Sequence, residues 1–376
     1  MTNLFVECIR SSREFQAIRD DWEAFMDRHF PEKYGRSHPW LSAIWNSYHH
    51  GKTALIYLQR HRGDRRILAA APLVIKKAIY CCFPVLSLQT LGMGIGGDDF
   101  LLGPEARGFV SAVFRDLARN HRWHVARFSR ISSSRFLDEV REACETVGCP
   151  ADLSESQDYF IEFPSNYQEY QQSRSRKFRR NLNQALNRLE REGAVSLETL
   201  DPFADIQRVK SLGREIAHTC WQYREGKSHF NENGAADFYT NLAGTGHGAG
   251  GEEFCVLTVG GRPVAYLLGC RRGRTYYAVD TAFHADYRHV SAGRILFGMI
   301  FKRLIEGRAV DYFDFEGSGD YKDDYATHAR TSQHFVAYNA SLYPLGIRSL
   351  KRSKIYTILK NRQRGRTDAG EMSPRT

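Results

Sequence analysis

One stretch of the chain, residues 271–322, constrains the possible folds more than any other. Residues 275–280 read as a strand, and a loop follows them. From 294 to 306 the chain is apolar on most of a helical surface, which predicts a buried helix, and Gly307 supplies a signal that ends it. Residues 309–315 read as the next strand. A strand, a buried helix and another strand in this order indicate an α/β unit.

The loop before that helix carries a pattern suited to an anion. Arg288, Ser291 and Gly293 follow the spacing Arg-x-x-Ser-x-Gly, so a cation precedes two small residues at a helix start. The first amides of a helix have no intrahelical partner, and the helix dipole favours negative charge there. Small residues let an anion approach the backbone. The sequence therefore predicts an anion-binding site at this helix start.

The two halves of the chain repeat one order of elements. In the first half, residues 55–58 and 67–73 form a predicted hairpin around a glycine turn. In the second half, residues 254–259 and 263–267 form another, with a two-residue glycine turn of the favoured kind. A further strand, a loop, a helix and a strand follow each hairpin. A duplicated α/β domain is the simplest explanation of this repeat.

The repeat predicts two domains and a tail. We expect an N-terminal domain over residues 1–163, a C-terminal domain over residues 164–346, and a basic helix or tail over residues 347–376. A chain of 376 residues exceeds the usual single-domain length, which agrees with two domains. Only the second half contains the Arg-x-x-Ser-x-Gly loop, so we expect the C-terminal domain alone to hold an anionic cofactor.

Composition and local signals indicate a globular protein of the cytoplasm. Hydrophobic residues make up 42% and charged residues 26% of the chain, as in ordinary globular proteins. No apolar run approaches the roughly 18 residues of a membrane span, and the N-terminus lacks the features of a secretory signal. The eight cysteines include no Cys-x-x-Cys pair and no zinc-like Cys/His spacing, so we expect neither a metal site nor a disulfide framework.

Positive charge is concentrated in two segments. From Arg348 onward, nine Lys or Arg against two acidic residues account for +7 of the net charge of +10. This tail is either a solvated terminal helix or a contact for an anionic membrane surface, RNA or another polyanion. The second cluster opens a predicted helix that ends at Gly193, and it is either a solvated face or an electropositive wall for a phosphorylated substrate. Its cations are Arg174, Arg176, Lys177, Arg179 and Arg180.

Several short motifs together resemble one family. They are Ala71-Pro72-Leu73, the basic helix from 175 to 193, Pro263-Val264-Ala265, and Asp314-Phe315 with Tyr321-Lys322. With the Arg-x-x-Ser-x-Gly loop, they resemble the CelD/BcsL-like branch of the GNAT superfamily, the acetyltransferases linked to cellulose and other polysaccharide biosynthesis. FemAB-like aminoacyl transferases, which take the acyl group from aminoacyl-tRNA, share the tandem plan. The resemblance implies an α/β fold of two GNAT-like domains, each a mixed sheet flanked by helices.

The resemblance also implies acyl-CoA (acetyl-CoA) as co-substrate and no metal. Its pyrophosphate would be held by Arg288 and by the amides near Ser291, Gly293 and Arg294. Ser291 stands where the family pattern has its first glycine. This departure keeps a catalytically degenerate GNAT scaffold open as an alternative.

The implied chemistry is attack by an amine on a thioester or ester carbonyl. Such an amine must lose a proton, which requires a carboxylate or a water chain near the acceptor. Asp314 and Glu316 lie two apart at a strand end, so their side chains are expected on one side, and Asp280 is the third candidate base. Tyr321 and Lys322 occupy the Tyr-Lys position of the family, where a tyrosine can protonate the leaving thiolate and a lysine can stabilise negative charge. Each of these residues has a structural alternative as a cap or a loop anchor.

Together these features predict a cytoplasmic N-acyltransferase, peripheral at the inner membrane surface if its basic tail binds lipid. The acceptor would be an amine of a sugar or of a glycan-linked intermediate in polysaccharide or envelope biosynthesis. An aminoacyl-tRNA-dependent transferase is the first alternative, because phosphate contacts suit the basic helix and tail.

Residues 220–233 are predicted to form a mobile loop over the site.

Overall fold

The computed structural model describes residues 3–49, 52–92, 96–220, 230, 235–244, 251–317 and 319–353. In these ranges one mixed sheet runs through the molecule, and helices cover both of its faces. The strands are β1 (Leu4–Ile9), β2 (Thr53–His61), β3 (Ile67–Tyr80), β4 (Phe83–Thr90), β5 (Leu101–Leu102), β6 (Val125–Ile131), β7 (Ala151–Glu162), β8 (Val195–Leu200), β9 (Glu252–Val259), β10 (Arg262–Arg272), β11 (Thr275–Phe283), β12 (Tyr312–Asp314) and β13 (His328–Tyr338).

The helices in the same ranges vary from single turns to 17 residues. They are α1 (Ser12–Ala17), α2 (Arg19–His29), α3 (His38–Tyr48), α4 (Phe109–Asn120), α5 (Ser134–Thr146), α6 (Tyr167–Ser173), α7 (Arg176–Glu192), α8 (Ile206–Ala217), α9 (Ala235–Gly244), α10 (Ala292–Gly307), α11 (Asp320–Asp323) and α12 (Leu342–Arg352). Within the described part of the chain, none of them is both long enough and apolar enough to cross a membrane.

The sheet is built from two halves with the same strand order. In the first half β1 to β4 pair antiparallel in succession, and β6 adds parallel to β4 after α4. In the second half β8 to β11 pair antiparallel in succession, and β12 adds parallel to β11 after α10. A parallel pair needs a crossover connection, which α4 and α10 provide. The predicted duplication of an α/β unit with a mixed sheet and flanking helices is confirmed.

Each half completes the sheet of the other. β7, which follows β6 and α5, pairs with β12 of the second half, and β13 pairs with β6 of the first. These two strands also pair antiparallel with each other, from His328 opposite Phe160 to Ala337 opposite Ala151. The halves therefore share one continuous sheet through exchanged strands. The domain boundaries at residues 163 and 346 stay a prediction.

One core joins the two halves, and two further cores lie on the opposite face of the sheet. Helices α1 to α3 from the first half and α8 and α9 from the second bury a shared aromatic cluster that includes Trp22, Trp40, Phe238, Tyr239 and Tyr266. On the other face, α4 and α5 pack on the first half, and α6, α7 and α10 pack on the second. Burying one large apolar side chain contributes about 1.5–3 kcal/mol. The shared cluster therefore fixes the two halves against each other.

The residue that follows helix α10 adopts a backbone conformation that is unfavourable for any residue other than glycine. The helix includes Gly307, and Arg308 follows in the left-handed region with a φ of 49°. A residue with a Cβ atom pays about 1–2 kcal/mol for this conformation, whereas glycine adopts it freely. We expect Arg308→Gly to raise the free energy of unfolding by roughly 0.5–1 kcal/mol in urea titrations. Arg308→Ala keeps the Cβ atom and should bring no gain, so an equal gain in both variants would contradict this explanation.

Candidate active site

An open cavity of about 490 Å³ lies where β11 ends and α10 begins. Its walls are the end of β11, the loop after it, the first turns of α10 and the aromatic residues that follow β12. The lining residues are Thr281, Ala282, Phe283, Arg288, Ser291, Ala292, Gly293, Arg294, Phe297, Tyr321 and Tyr325. The structure thus brings together all four predicted cofactor residues and one predicted catalytic residue, Tyr321.

The start of α10 presents backbone amides to this cavity. Ser291 caps the helix in the left-handed region with a φ of 57°, without a side-chain cap hydrogen bond. The Arg294 amide donates to the Ser291 carbonyl at 2.9 Å, whereas Ala292 and Gly293 begin the helix and have no intrahelical acceptor. A Cβ atom added to Gly293 would meet only the Phe283 ring within 4 Å, at 3.4 Å, so the space beside it is open. This helix start fits a phosphate group.

The left-handed conformation explains the residue preference at position 291. Glycine adopts a positive φ without a steric cost, so a glycine is the expected residue at this point of the loop. Ser291 adopts the same conformation and leaves the loop geometry intact. Serine therefore makes this loop conformation less favourable in free energy than glycine would, but the backbone shape of the anion site is retained.

Two arginines of different character border the cavity. Arg288 is exposed and has no ion-pair partner within the described ranges. Arg294 is held in place, because it donates to the Asp324 carboxylate at 3.3 Å and its guanidinium lies over the Phe178 ring at 5.5 Å. Phe178 belongs to α7, the predicted basic helix, whose apolar side is buried. Cations on its exposed side, among them Arg176, Lys177 and Arg180, add positive charge near the cavity.

The sheet opens beside the cavity. Among the described residues, β11 pairs with β12 at Thr275 to Tyr277 and continues to Phe283 with no strand partner on that side. A register shift against β10 leaves Val279 without an opposite residue, which is a β-bulge. Bulges turn the following side chains, and here Val279 packs on the shared core while Thr281 lines the cavity. β11 and the chain after β12 therefore separate beside the cavity and leave a gap in the sheet.

Asp280, directly after the bulge, is surrounded by tyrosines of the shared core. The Tyr266 hydroxyl donates to its carboxylate at 2.8 Å. Burial, and after it the Asp280 carboxylate, raises the pKa of Tyr266, of Tyr239 and of Tyr48. The Tyr239 hydroxyl is buried and has no hydrogen-bond partner among the described residues. These phenols stay neutral, so they offer protons and apolar ring faces around one carboxylate.

Asp314 and Glu316 belong to a buried ion-pair network. Glu316 accepts hydrogen bonds from Arg130 at 2.5 Å and from the Gly96 amide at 2.9 Å. Arg130 also donates to Asp158 at 2.9 Å and lies 3.8 Å from Asp314. Burial raises the pKa of Glu316, while Arg130 opposes this rise and Asp314 adds to it. Both carboxylates are engaged by groups of the protein.

Lys322 contacts the loop next to this network. Its ammonium group donates to the Phe315 carbonyl at 2.9 Å, and burial, followed by repulsion from Arg130, lowers its pKa. The neighbouring Tyr321 lies in the cavity, where burial raises its pKa. The predicted catalytic residues therefore occupy three places: the cavity, the tyrosine cluster around Asp280, and the ion-pair network.

Arg130 and the tyrosines around Asp280 were not singled out from the sequence. Arg130 and Glu316 are 186 residues apart, and they meet because the halves exchange strands. Tyr48 and Tyr239 come from α3 and α9, one helix from each half. No local spacing signals such contacts. The only available signal was the repeat itself, which implies that the two halves pack together.

Two sequence predictions fall mostly on undescribed parts of the chain. The predicted mobile loop over residues 220–233 lies outside the described residues except for Cys220 and Phe230. The basic tail is described only as far as residue 353. Its described cations Arg348, Lys351 and Arg352 pair with Asp152.

The segment that holds the cavity matches a known family. Residues 176–326 match the family described as acetyltransferase (GNAT) domain. The chain is an acyltransferase, and its residues 176–326 are similar to GNAT acetyltransferase domains. GNAT domains use acyl-CoA, and this match includes the basic helix, the cavity and Asp280. Among curated proteins, no sequence matches this one.

Solved structures with a similar fold cover nearly the whole chain. The crystal structure of FemX matches with a TM-score of 0.53 at 12% identity, over 91% of this chain and 100% of that chain. L-PGS from Bacillus licheniformis matches with a TM-score of 0.52 at 14% identity, over 89% and 96%. A tandem GNAT protein from the clavulanic acid biosynthesis pathway matches with a TM-score of 0.50 at 12% identity, over 90% and 99%. These likenesses concern the fold, and they confirm its tandem GNAT architecture.

Proposed function

We propose that the protein transfers an acyl group from acyl-CoA to an amine of a sugar or sugar-linked intermediate in polysaccharide or envelope biosynthesis. The observation that carries the proposal is the start of α10, which opens with free amides and Arg288 onto a cavity beside a gap in the sheet. The sugar acceptor and the pathway rest on the resemblance to the CelD/BcsL-like branch. The protein would act in the cytoplasm, and at the inner membrane surface if its basic tail binds lipid.

In this proposal the start of α10 holds the pyrophosphate of the co-substrate. The amides of Ala292 and Gly293 donate to it, and Arg288 neutralises its charge. Arg294 borders the same cavity and is oriented by Asp324. Acyl-CoA supplies a thioester, whose carbonyl carbon is attacked and whose CoA thiolate is a good leaving group. The open edge of β11 would hold that carbonyl beside the gap in the sheet.

Asp280 is the proposed base. The acceptor arrives as an ammonium ion, which a carboxylate among aromatic rings attracts. Asp280 takes one proton from it, and the hydrogen bond from Tyr266 keeps the carboxylate oriented. Tyr321, in the cavity, gives a proton to the departing sulfur. When the neutral amine attacks the thioester carbonyl, the C–N bond forms and the C–S bond breaks. The nitrogen then loses its second proton, which restores the Tyr321 phenol, and Asp280 releases the first proton to solvent.

The ion-pair network has a supporting role in this mechanism. Asp314 and Glu316 hold Arg130, and Lys322 holds the loop after β12 through the Phe315 carbonyl. These contacts fix one side of the gap in the sheet. Asp314, Glu316 and Lys322 are therefore proposed as positioning residues.

An acceptor-dependent assay tests this function. The full-length protein is mixed with acetyl-CoA and a panel of amino sugars, and free thiol and product mass are recorded. We expect thiol release with glucosamine-type acceptors and an N-acetylated product. The matched sugars with a hydroxyl in place of the amine should give neither. Equal thiol release with both sets of sugars would mean hydrolysis and would contradict the proposal.

An aminoacyl-tRNA donor is the second candidate function, because the exposed cations of α7 suit a polyphosphate chain. With this donor, binding weakens steeply with salt, since each neutralised phosphate releases counterions. Transfer from charged tRNA without any transfer from acetyl-CoA would establish it. Absence of transfer and of binding with both donors would favour the catalytically degenerate scaffold.

A further inference from the structure

The tip of the β3–β4 hairpin is apolar and exposed, which is unusual for a sheet corner. Cys81 and Cys82 form its turn, with φ values of 51° and 69°. Ile79 precedes the turn with 69% of its surface exposed, and Pro84 faces it from β4. Hairpin tips in water normally carry polar turn residues. An exposed apolar tip of this kind indicates an interaction surface.

The first turn of α12 extends this apolar surface. Leu342 is 90% exposed and Tyr343 is 44% exposed. The Tyr343 hydroxyl donates to the Pro84 carbonyl at 2.8 Å, and its ring lies 5.1 Å from the His124 ring. A groove of about 400 Å³ lies at this hairpin, lined by Lys77, Ala78, Ile79, Pro84, Val85, Leu86 and His124. The hairpin tip and the start of α12 thus form one apolar surface, called here the hairpin surface.

Cations border the hairpin surface and have few acids to balance them. Lys77 lines the groove and Arg122 lies beside His124; both are exposed and have no ion-pair partner in the described part of the chain. No acidic side chain lines the groove. Asp152, near α12, is surrounded by three cations, Arg348 at 3.0 Å, Arg352 at 2.7 Å and Lys351 at 3.7 Å. The charge of this region is therefore clearly positive.

We propose that the hairpin surface docks on an anionic lipid bilayer. Ile79 and Leu342 enter the boundary between headgroups and acyl chains, where exposed apolar side chains are stabilised. Lys77 and Arg122 contact lipid phosphates, and this charge complementarity selects an anionic surface. β4 and β11 run in opposite directions in the sheet. The start of β4, at the hairpin tip, and the end of β11, at the cavity, therefore lie at the same end of the strands. This docking function goes beyond acyl transfer and does not depend on it.

Vesicle flotation of the full-length protein tests the proposal. One set of vesicles contains roughly a third phosphatidylglycerol in phosphatidylcholine, and the other contains phosphatidylcholine alone. We expect binding to the anionic set. The double variant Ile79→Ser/Leu342→Ser should lose about tenfold or more in partition coefficient, because both apolar contacts disappear. Lys77→Glu/Arg122→Glu should lose more than about 25-fold, since each lost cation costs roughly fivefold and each new carboxylate is repelled by the anionic surface.

Control variants replace exposed residues at a distance from the hairpin surface. Val6→Ser removes an apolar residue that is 38% exposed on β1, and Arg13→Glu reverses an exposed charge on α1. Both should float like the unmodified protein, and all variants should bind acetyl-CoA as before. Unchanged flotation of both double variants would overturn the proposal and place any lipid binding elsewhere on the protein. A loss for the charge variant alone, with a parallel loss of RNA binding, would identify a polyanion surface and would also overturn it.

Discussion

Replacing Arg130 by methionine is expected to destabilise the fold by about 3–5 kcal/mol, as measured by urea denaturation near pH 8. Methionine fills a similar volume, but it leaves the carboxylates of Asp158, Asp314 and Glu316 without their common cation. These side chains are almost fully buried. Asp314 keeps its ion pair with Arg330, but Asp158 and Glu316 are left without an ion-pair partner among the described residues, and such buried charges are costly. The network joins β6 of the first half to β7 and to the chain after β12. The loss should therefore appear in one cooperative unfolding transition.

The loss of stability in Arg130→Met is expected to depend on pH, and the direction of the carboxylate pKa change determines how. Arg130 opposes the rise that burial and Asp314 cause in the pKa of Glu316, so without Arg130 this pKa lies further above its value in the unfolded chain. The folded variant then binds protons more readily than the unfolded chain as the pH falls, so the deficit is largest near pH 8 and shrinks toward pH 5.

Two further variants separate the network from a general effect of losing an arginine. Arg130→Met/Glu316→Gln should recover part of the stability, because one buried charge is removed with its partner. Arg274→Met breaks the exposed pair with Asp311 and should change stability little. A deficit of Arg130→Met no larger than that of Arg274→Met would show that the network does not hold the halves together.

Replacing Asp280 by asparagine is expected to lower kcat by roughly 10²–10⁴-fold at neutral pH. Asparagine keeps the shape and can still bond to Tyr266, but it cannot accept the ammonium proton. Acetyl-CoA affinity should stay unchanged, because the start of α10 is untouched. The deficit should shrink at high pH, where the acceptor amine arrives already deprotonated. The measurement is a pH–rate profile of the variant beside the unmodified protein.

Control substitutions test whether Asp280 is special. Tyr266→Phe removes the 2.8 Å hydrogen bond and should cost about fivefold in kcat. Asp138→Asn, on the exposed face of α5, should leave kcat unchanged. If Asp280→Asn kept full activity while Glu316→Asn abolished it without loss of stability, the base would belong to the ion-pair network instead.

The anion site could be predicted because its parts are close together in the sequence. β11, the loop at Arg288 and the start of α10 form one continuous segment, and helix starts bind anions by a local rule. The hairpin β9–β10 and the helix α10 were likewise evident from turn residues and apolar periodicity.

The exchanged strands could not be predicted, because they lack an apolar pattern. β7 contains Ser154, Glu155, Ser156 and Gln157 in succession, and β13 contains Arg330 to Gln333, which are also polar. Both strands lie in the middle of the sheet, where the partner strands of the other half supply their hydrogen bonds. Their pairing depends on contacts far apart in the chain, and a single sequence holds no local record of it.

The positions of the acidic side chains also could not be predicted, because they depend on local details of the backbone. The rule that residues two apart share one side of a strand predicts equivalent positions for Asp314 and Glu316. β12 ends at Asp314, however, and Glu316 adopts a φ of 54°, so both carboxylates reach Arg130 by different paths. One unpaired residue, Val279, sets the position of Asp280. Bulges and left-handed residues of this kind leave no periodic signal.

The central claim is that the start of α10 binds acyl-CoA, and calorimetric titration with acetyl-CoA tests it most directly. We expect a dissociation constant on the order of micromolar for the unmodified protein, and a weakening of about tenfold or more for Arg288→Ala. Gly293→Val, which fills the space beside the open amides, should weaken binding at least as much, whereas Arg13→Ala on the distant α1 should bind normally. Absence of binding at low salt, or equal affinity in all four proteins, would contradict the claim.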